Sequence, residues 1–336
     1  MTTQNGYPIA DKTILLTGGC GFIGGHMAEA LLRRGARKVV IIDSLEYGKE
    51  SNITVSPQVT TKVPVIEFSL GYADSSVLRD IFKKHKIDYL IHLAAEKHNQ
   101  SKKTPQKIFL VNILGTQELF EIAAQEGVQK IIFASSLYAY GRRHKPKYQE
   151  EETPLPDTVY GISKLAGEHL LGYIAAKYGT SWIALRYHFV YGPRQYAGSG
   201  YKSVILKNFQ RILEHQPPLI CGDGKQALDY IYITDAVEAT LRALERNIDS
   251  EIVNVSSGSA TSIIKLTDSM LKVARSPLVP VHVAKDETHG TFRVGNNSKM
   301  KRLLSFKPTV SLQEGLSETF AWIKKSQDSK NTTHED

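Results

Sequence analysis

The eight residues Thr17-Gly-Gly-Cys-Gly-Phe-Ile-Gly24 constrain this chain more than any others. A short apolar run, Lys12–Thr17, precedes them, and Met27, Ala28, Leu31 and Leu32 come after them at helical spacing. The first segment reads as a buried strand and the second as a helix packed on a sheet. Glycines at 18, 21 and 24 permit a tight turn, a close approach of backbone to a pyrophosphate, and helix–strand packing. The N-terminus of the helix then offers unpaired N–H groups to phosphate.

A second buried strand, Lys38–Asp43, ends on an acid about 20 residues beyond Gly24. A carboxylate there accepts hydrogen bonds from a ribose 2′-hydroxyl and repels a 2′-phosphate, so NAD is favoured over NADP. Further strands are expected at Val65–Phe68, Tyr89–His92, Lys130–Ala134 and Trp182–Tyr187, with helices at Ser76–Lys84, Phe109–Glu126 and Gly161–Tyr178 between them. This alternation implies right-handed crossovers and a parallel sheet. After Tyr191-Gly-Pro-Arg194 the texture changes. Pro217-Pro218 and Gly222-Asp-Gly224 interrupt the pattern, and two more apolar strands lie at Tyr230–Ile233 and Ile252–Val255. The expected division is a cofactor domain of residues 1–187 and about 229–258, and a substrate lobe of about 188–228 and 259–324. A polar tail, 325–336, is expected to be disordered.

Composition excludes several function classes. Hydrophobic residues make up 41% and charged residues 23% of 336 positions, as in ordinary globular proteins. No run of about 18 apolar residues exists, so no membrane span is expected. The stretch Met1–Lys12 is polar and lacks the apolar core of a signal peptide, which makes the cytoplasm the expected location. Cys20 and Cys221 are too few for a disulfide framework and have no spaced partners for a metal, so no metal site is expected. Cys20 fills space in the glycine turn. Net charge is +8, but the basic pairs Arg33-Arg34, Lys83-Lys84, Lys102-Lys103 and Arg142-Arg143 are scattered, which argues against a nucleic-acid partner.

Two Tyr-x-x-x-Lys pairs lie in one expected helix, Tyr160/Lys164 and Tyr173/Lys177. Residues four apart share a helix face, where an ammonium favours the phenolate and lowers the phenol pKa. Either tyrosine is a candidate general base on that spacing alone. In an open parallel sheet, ligands bind beyond the carboxyl ends of the strands. His92-Leu-Ala-Ala95 and Ala134-Ser-Ser-Leu-Tyr-Ala-Tyr-Gly141 end two strands and so line the cleft.

Taken together, TGGCGFIG at 17–24, HLAA at 92–95, Asn112 with Gly115-Thr116, SS…YG at 135–141 and YGISK at 160–164 resemble the extended short-chain dehydrogenase/reductases, in particular the nucleotide-sugar epimerase/dehydratase branch. Arg186-Tyr, Val190-Tyr-Gly-Pro-Arg-Gln195, GDG at 222–224, Asp229-Tyr-Ile-Tyr with Asp235, Asn254-Val, and Leu312 with Glu314-Gly-Leu316 extend the resemblance over roughly residues 12–324. It implies an α/β fold: a Rossmann-type doubly wound parallel sheet with a smaller mixed α/β C-terminal substrate lobe. It implies a catalytic triad of Ser136, Tyr160 and Lys164. It further implies NAD contacts from Gly18, Gly21, Phe22, Ile23, Gly24, Asp43, Leu93, Ala94, Ala95, Asn112, Ser135, Tyr160, Lys164, Tyr187 and Val190. Substrate contacts are implied for His98, Ser136, Phe189, Arg194 and Arg293, the substrate being a nucleotide sugar. Tyr173 lies ~20 Å further along the helix and is rotated by about 220° from Tyr160, so it cannot share that cleft.

Members of the branch differ in the step that comes after oxidation of the sugar. The 4,6-dehydratases that this chain resembles carry an acid just after the Ser/Thr; here those positions are Leu137 and Tyr138. Dehydration is therefore disfavoured, with Glu96 as the one relocated acid, and decarboxylation lacks acidic or basic help at 136–140. The minimal triad suits an epimerase, and would equally serve a keto-sugar reductase or oxidase; a silent NAD-binding regulator is the reading from another class. The substrate side departs from the family more than the cofactor side. Phe189 stands where the family has an amide, and Leu228 where it has a phosphate-binding arginine. Losing that arginine would cost about 2–5 kcal/mol of binding unless Lys202 or Lys225 compensates. Arg293 matches a second phosphate-binding arginine. A homodimer through the helices 109–126 and 161–178 is the family expectation, with Leu165, Leu170, Leu171 and Ile174 either on that face or on the sheet.

Overall fold

Alternate residues of each apolar run enter opposite cores. Strand β1 (Thr13–Thr17) sends Ile14 and Leu16 to one hydrophobic cluster and Leu15 to another, and β2 (Lys38–Asp43) divides Val39 and Ile41 from Val40 and Ile42. A strand that is apolar on both faces must be covered on both, which is the condition for a doubly wound sheet. The structure, a computed structural model, describes residues 6–53, 63–99, 104–142, 147–195 and 203–332. Lys102, Lys103, Arg143, Lys202 and the two ends of the chain, 1–5 and 333–336, lie outside the described residues.

The first half of the chain continues with α1 (Phe22–Arg33), β3 (Val65–Glu67), α2 (Ser75–His85), β4 (Tyr89–His92), α3 (Pro105–Ile108), α4 (Thr116–Gln125), β5 (Lys130–Ser136), α5 (Val159–Tyr178) and β6 (Ser181–Tyr187). The second half holds β7 (Phe189–Tyr191), α6 (Val204–Leu213), β8 (Leu219–Cys221), β9 (Ala227–Leu228), β10 (Tyr230–Tyr232), α7 (Ile233–Glu245) and β11 (Glu251–Val255). It ends with β12 (Thr261–Ser262), α8 (Ile263–Ala274), β13 (Val281–Val283), β14 (Phe292–Arg293), α9 (Ser298–Leu304) and α10 (Leu312–Thr332). Seven strands form one parallel sheet in the order β11-β6-β5-β4-β1-β2-β3. Met27, Leu31, Ala236 and Leu244 of α1 and α7 pack on one face; Leu78, Phe120 and Leu171 of α2, α4 and α5 pack on the other.

Among the described residues, three small sheets lie outside this one: β10-β7, β12-β9-β14 and β13-β8. The run Tyr230–Ile233 reads as a strand like those of the main sheet, yet β10 pairs with β7 instead. The reason lies at His188. Its N–H donates to Val255 O of β11 (3.0 Å), and the next N–H, of Phe189, donates to Asp229 O (3.0 Å). The strand through β6 and β7 thus changes partner in one residue. The expected helix Phe109–Glu126 is also altered: residues Phe109–Gly115 form a π-helical segment between α3 and α4. The last helix runs to Thr332, past Lys324 where the polar tail was expected to lose order. Lys, Gln and Ser in that stretch tolerate helical backbone and continue a helix that the apolar residues before Lys324 have already nucleated.

Asp229 ties separate stretches of the second half of the chain together. It is fully buried, its Oδ1 accepts from Ser257 N (2.7 Å) and Ser257 Oγ (2.7 Å), and its Oδ2 accepts from Gly258 N (2.9 Å) and Gly295 N (3.2 Å). An amide in its place turns one acceptor into a donor facing backbone N–H groups. We expect Asp229→Asn to lower stability by about 2–5 kcal/mol, read as a fall in the urea midpoint with an unchanged m-value.

Candidate active site

The carboxyl ends of β1, β2, β4, β5 and β6 open onto a cleft of about 460 Å³. Gly18, Gly21, Phe22, Ile23 and Gly24 form one wall. Gly18 has φ +68°, and a Cβ on Gly24 would lie 2.1 Å from Gly18 O, so the turn closes only with hydrogen at that position. Gly21 is the N-cap of α1 and provides no side-chain cap, which leaves the first N–H groups of the helix facing the cleft. Such a helix end takes an anion. Asp43 lies at the end of β2 and is 8% exposed. Its Oδ2 accepts from Cys20 N (3.0 Å) and its Oδ1 from Leu45 N (2.9 Å). Each oxygen keeps a lone pair for a further donor such as a sugar hydroxyl.

The reactive end lies between β5 and α5. Thr158 caps α5 by accepting from Gly161 N (3.0 Å), which starts the helix just before Tyr160. A Cβ on Gly161 would meet Tyr138 O at 2.3 Å, so the first turn of α5 is pressed against the residues just past β5. Ser136, Tyr160 and Lys164 therefore come together on the cleft wall. Ser136 Oγ accepts from Tyr138 N (3.3 Å), and Lys164 Nζ donates to Ala134 O (2.7 Å). Tyr138 makes an edge-on contact with Tyr160 (5.7 Å between centroids), stacks on His98 (4.4 Å), and carries the Arg293 guanidinium 5.3 Å from its ring.

The charge states differ from the sequence expectation. Burial pushes the Tyr160 phenol up, Tyr138 adds to that, and Ser136 opposes it. Burial also brings the Lys164 ammonium down to about 7, against the pull of Glu168. Lys164 Nζ lies 5.7 Å from the centroid of the Tyr160 ring, and desolvation of each group outweighs the attraction expected from their spacing. Tyr173, the other tyrosine, is 68% exposed on the far side of α5.

Leu93, Ala94, Ala95, His98, Ser135, Tyr187, Phe189, Val190 and Arg194 also line the cleft. Two expected contacts do not. Asn112 is buried in the π-helical segment; its Oδ1 accepts from Glu96 N (2.7 Å), and its Nδ2 donates to Glu96 O (3.0 Å) and Ser163 Oγ (3.2 Å). Its amide is spent on holding the loop after β4 against α5. Arg293 stands behind Tyr138, and its backbone pairs with Leu228, the position where the family arginine is replaced. Lys225 is exposed and outside the cleft wall. Arg194 has φ +67° and turns back to α1, donating to Asn52 O (2.9 Å) and pairing with Glu29 (3.0 Å).

Sequence reasoning missed the segment after β2, of which Ser44, Tyr47, Gly48 and Asn52 line the cleft, and also Lys97 and His188. The signal was present, since the rule that ligands sit beyond strand ends applies to β2 as much as to β4 and β5. Glu96 lines the cleft but is engaged: Lys107 Nζ lies 2.9 Å from its Oε1, and Tyr47 Oη donates to its Oε2 (3.4 Å).

The NAD dependent epimerase/dehydratase family model matches residues 14–256. The UDP-N-acetyl-alpha-D-glucosaminuronate decarboxylase of Bacillus cytotoxicus is 33% identical over 93% of this chain and 98% of its own length. The UDP-glucose 4-epimerase of Thermotoga maritima, solved with UDP-glucose, superposes with a TM-score of 0.86 at 33% identity, covering 94% of this chain and 99% of that one. The UDP-glucuronic acid 4-epimerase of Bacillus cereus, solved with UDP-glucuronic acid and NAD, gives a TM-score of 0.84 at 30% identity, covering 94% and 99%. By the family match over residues 14–256 and by these relatives, this chain belongs to the NAD-dependent epimerase/dehydratase family.

Proposed function

We propose that this protein is an NAD-dependent nucleotide-sugar 4-epimerase. The observation that carries the reading is the meeting of Ser136, Tyr160 and Lys164 on one cleft wall with Leu137 and Tyr138, not carboxylic acids, beside them. The glycine turn and the uncapped start of α1 fit a pyrophosphate, and Asp43 fits the adenosine ribose. Held there, NAD would supply an acceptor and donor of hydride for the sugar carbon, and a positive charge that would favour the phenolate form of a nearby phenol.

The chain's own groups handle the proton. Tyr160 Oη takes it from the sugar hydroxyl and later gives it back. Ser136 Oγ hydrogen-bonds that hydroxyl, and Lys164 holds the phenolate. The keto sugar rotates between the two events, and no further acid is needed. Arg293 is 7% exposed and makes no ion pair among the described residues, and from outside the cleft wall it lends positive charge through the Tyr138 ring that its guanidinium covers. Phe189 replaces an amide contact with an apolar one and narrows the choice of sugar. Dehydration needs a proton donor at the leaving hydroxyl, and Glu96, an acid on the cleft wall, is paired with Lys107. Since one relative is named a decarboxylase, the substrates tested include uronates.

We also assign residues 1–187 and about 229–258 to the cofactor unit and the remainder to about 324 to a substrate lobe, because β11 belongs to the large sheet and β8, β9 and β12 to β14 do not. A homodimer is inferred from exposed apolar side chains on the run Pro105–Gln125 and on α5: Phe109 (47%), Leu114 (56%), Ile162 (45%) and Tyr173 (68%). Leu171 and Ile174, by contrast, pack on the sheet. The cytoplasm suits the chemistry of the ligands and the two free cysteines.

Incubation with UDP-, dTDP-, GDP- and CDP-sugars, with the products read by NMR, should give the 4-epimer; a 4-keto-6-deoxy product or loss of CO2 would replace the epimerase reading. On the substrate so found, Tyr160→Phe should lower kcat about 10²–10⁴-fold while NAD(H) stays bound. Asp43→Asn should weaken NADH binding about 10-fold, by fluorescence titration, and narrow the preference over NADPH. Leu114→Lys with Ile162→Lys should convert a dimer to a monomer by light scattering, with the circular dichroism spectrum unchanged.

A further inference from the structure

Glu168 lies one helical turn beyond Lys164 on α5 and is 3% exposed. Its Oε1 accepts from Ser135 Oγ (2.5 Å) and from Arg186 Nε (2.8 Å), and its Oε2 accepts from Arg186 Nη2 (2.7 Å). Arg186, on β6, is 1% exposed and packs its guanidinium 4.4 Å from the Tyr140 ring. Lys164 Nζ meanwhile donates to Ala134 O. Helix α5 therefore grips the end of β5 at two successive residues, Ala134 and Ser135, and the next residue is Ser136.

A buried ion pair is an inefficient way to gain stability, because desolvating both charges offsets most of their attraction. An apolar pair of similar volume would hold α5 to β5 and β6 about as well. What an apolar pair cannot do is fix the hydroxyl of Ser135 or place a negative charge one turn from Lys164. We propose that Glu168 is a positioning residue for the proton transfer: through Ser135 and Arg186 it sets Ser136 against Tyr160, and its charge, one turn away, favours the ammonium form of Lys164. The proposal rests on the reading of Ser136, Tyr160 and Lys164 as the reacting set.

The groups around Lys164 leave this role to Glu168. On its own helix stand Tyr160 and Glu168. From β4 comes His92, which is held between Thr17 and Thr116 and which burial keeps neutral. From β6 comes the Arg186 guanidinium, and from β5 only the Ala134 carbonyl and the Phe133 ring. Among these, Glu168 alone supplies negative charge, and it opposes the burial that lowers the affinity of Lys164 for its proton. Without it, Lys164 loses its proton at lower pH. A reaction that needs the ammonium then fails at lower pH on its alkaline side.

The test uses the full-length protein and its identified nucleotide sugar. Glu168→Gln should retain NAD(H) and KM, lower kcat about tenfold or more, and move the alkaline limb of the kcat profile to lower pH. Glu168→Asp, which keeps the charge but shortens the reach, should lower kcat with the limb in place. A folded Glu168→Gln protein with wild-type kcat and pH profile would overturn the proposal. Should that variant fail to fold, Ser135→Ala decides: it removes one hydroxyl of the network and should lower kcat several-fold at constant KM, and unchanged kcat rejects the positioning role. Tyr160→Phe is measured alongside. If it stays active, the triad reading itself falls; if it is inactive while Glu168→Gln is normal, only the role of Glu168 falls.

Discussion

Everything in the cleft depends on the place where β1 and β4 lie side by side and the chain leaves them in opposite directions. From β1 it winds outward to β2 and β3; from β4 it winds the other way to β5, β6 and β11. Their helices pack on opposite faces, so among the described residues no helix covers the crevice between the two strand ends. One hydroxyl fastens that crevice. Thr17 Oγ1 accepts from Leu93 N (3.1 Å) and Ala94 N (3.0 Å) and lies 2.6 Å from His92 Nδ1. The glycine turn and the loop after β4 are thereby set at a fixed separation, and the remaining walls are built around them.

Much of this was legible in the sequence because it obeys local rules. The strands of the large sheet were apolar runs of ordinary length, and the glycine turn with Asp43 carried a spacing that few structures require. Helix periodicity put Tyr160 and Tyr173 on opposite faces, and the resemblance carried by YGISK at 160–164 implied which of them meets the cleft. The features that were not legible depended on partners distant in the chain. The run at Tyr230 has the composition of a central strand, yet its partner is decided by the change of pairing at His188. Asn112 has the residue type of a ligand contact, but whether its amide meets a ligand or a backbone depends on the fold of a loop 16 residues earlier. The charge states of Tyr160 and Lys164 could not be read from a spacing of four, since spacing reports proximity and not desolvation.

The substitutions on the substrate side acquire a spatial meaning. Leu228 and Arg293 are cross-strand partners on β9 and β14. An arginine absent at the first position is therefore next to one present at the second, and the Arg293 guanidinium is already aligned on the Tyr138 ring. That ring is in turn stacked on His98, whose Nε2 lies 3.4 Å from Glu287. The wall beside Tyr160 is thus a column of planar groups drawn from three separate stretches of chain. The two rings, Tyr138 and His98, have only two side-chain torsions each and so lose little freedom on packing, which favours a rigid surface for a sugar ring.

The late arrival of β11 has a consequence for biosynthesis. Strand β6 pairs with β5 on one side and β11 on the other, and β11 is made only after β7 to β10 and α7. During translation the Ile183–Leu185 edge of β6 stays without its neighbour until Val255 has left the ribosome. An open, apolar, parallel edge is a template for pairing with other chains. A ribosome that stalls in this interval leaves a nascent protein with a nearly complete cofactor fold and one adhesive side.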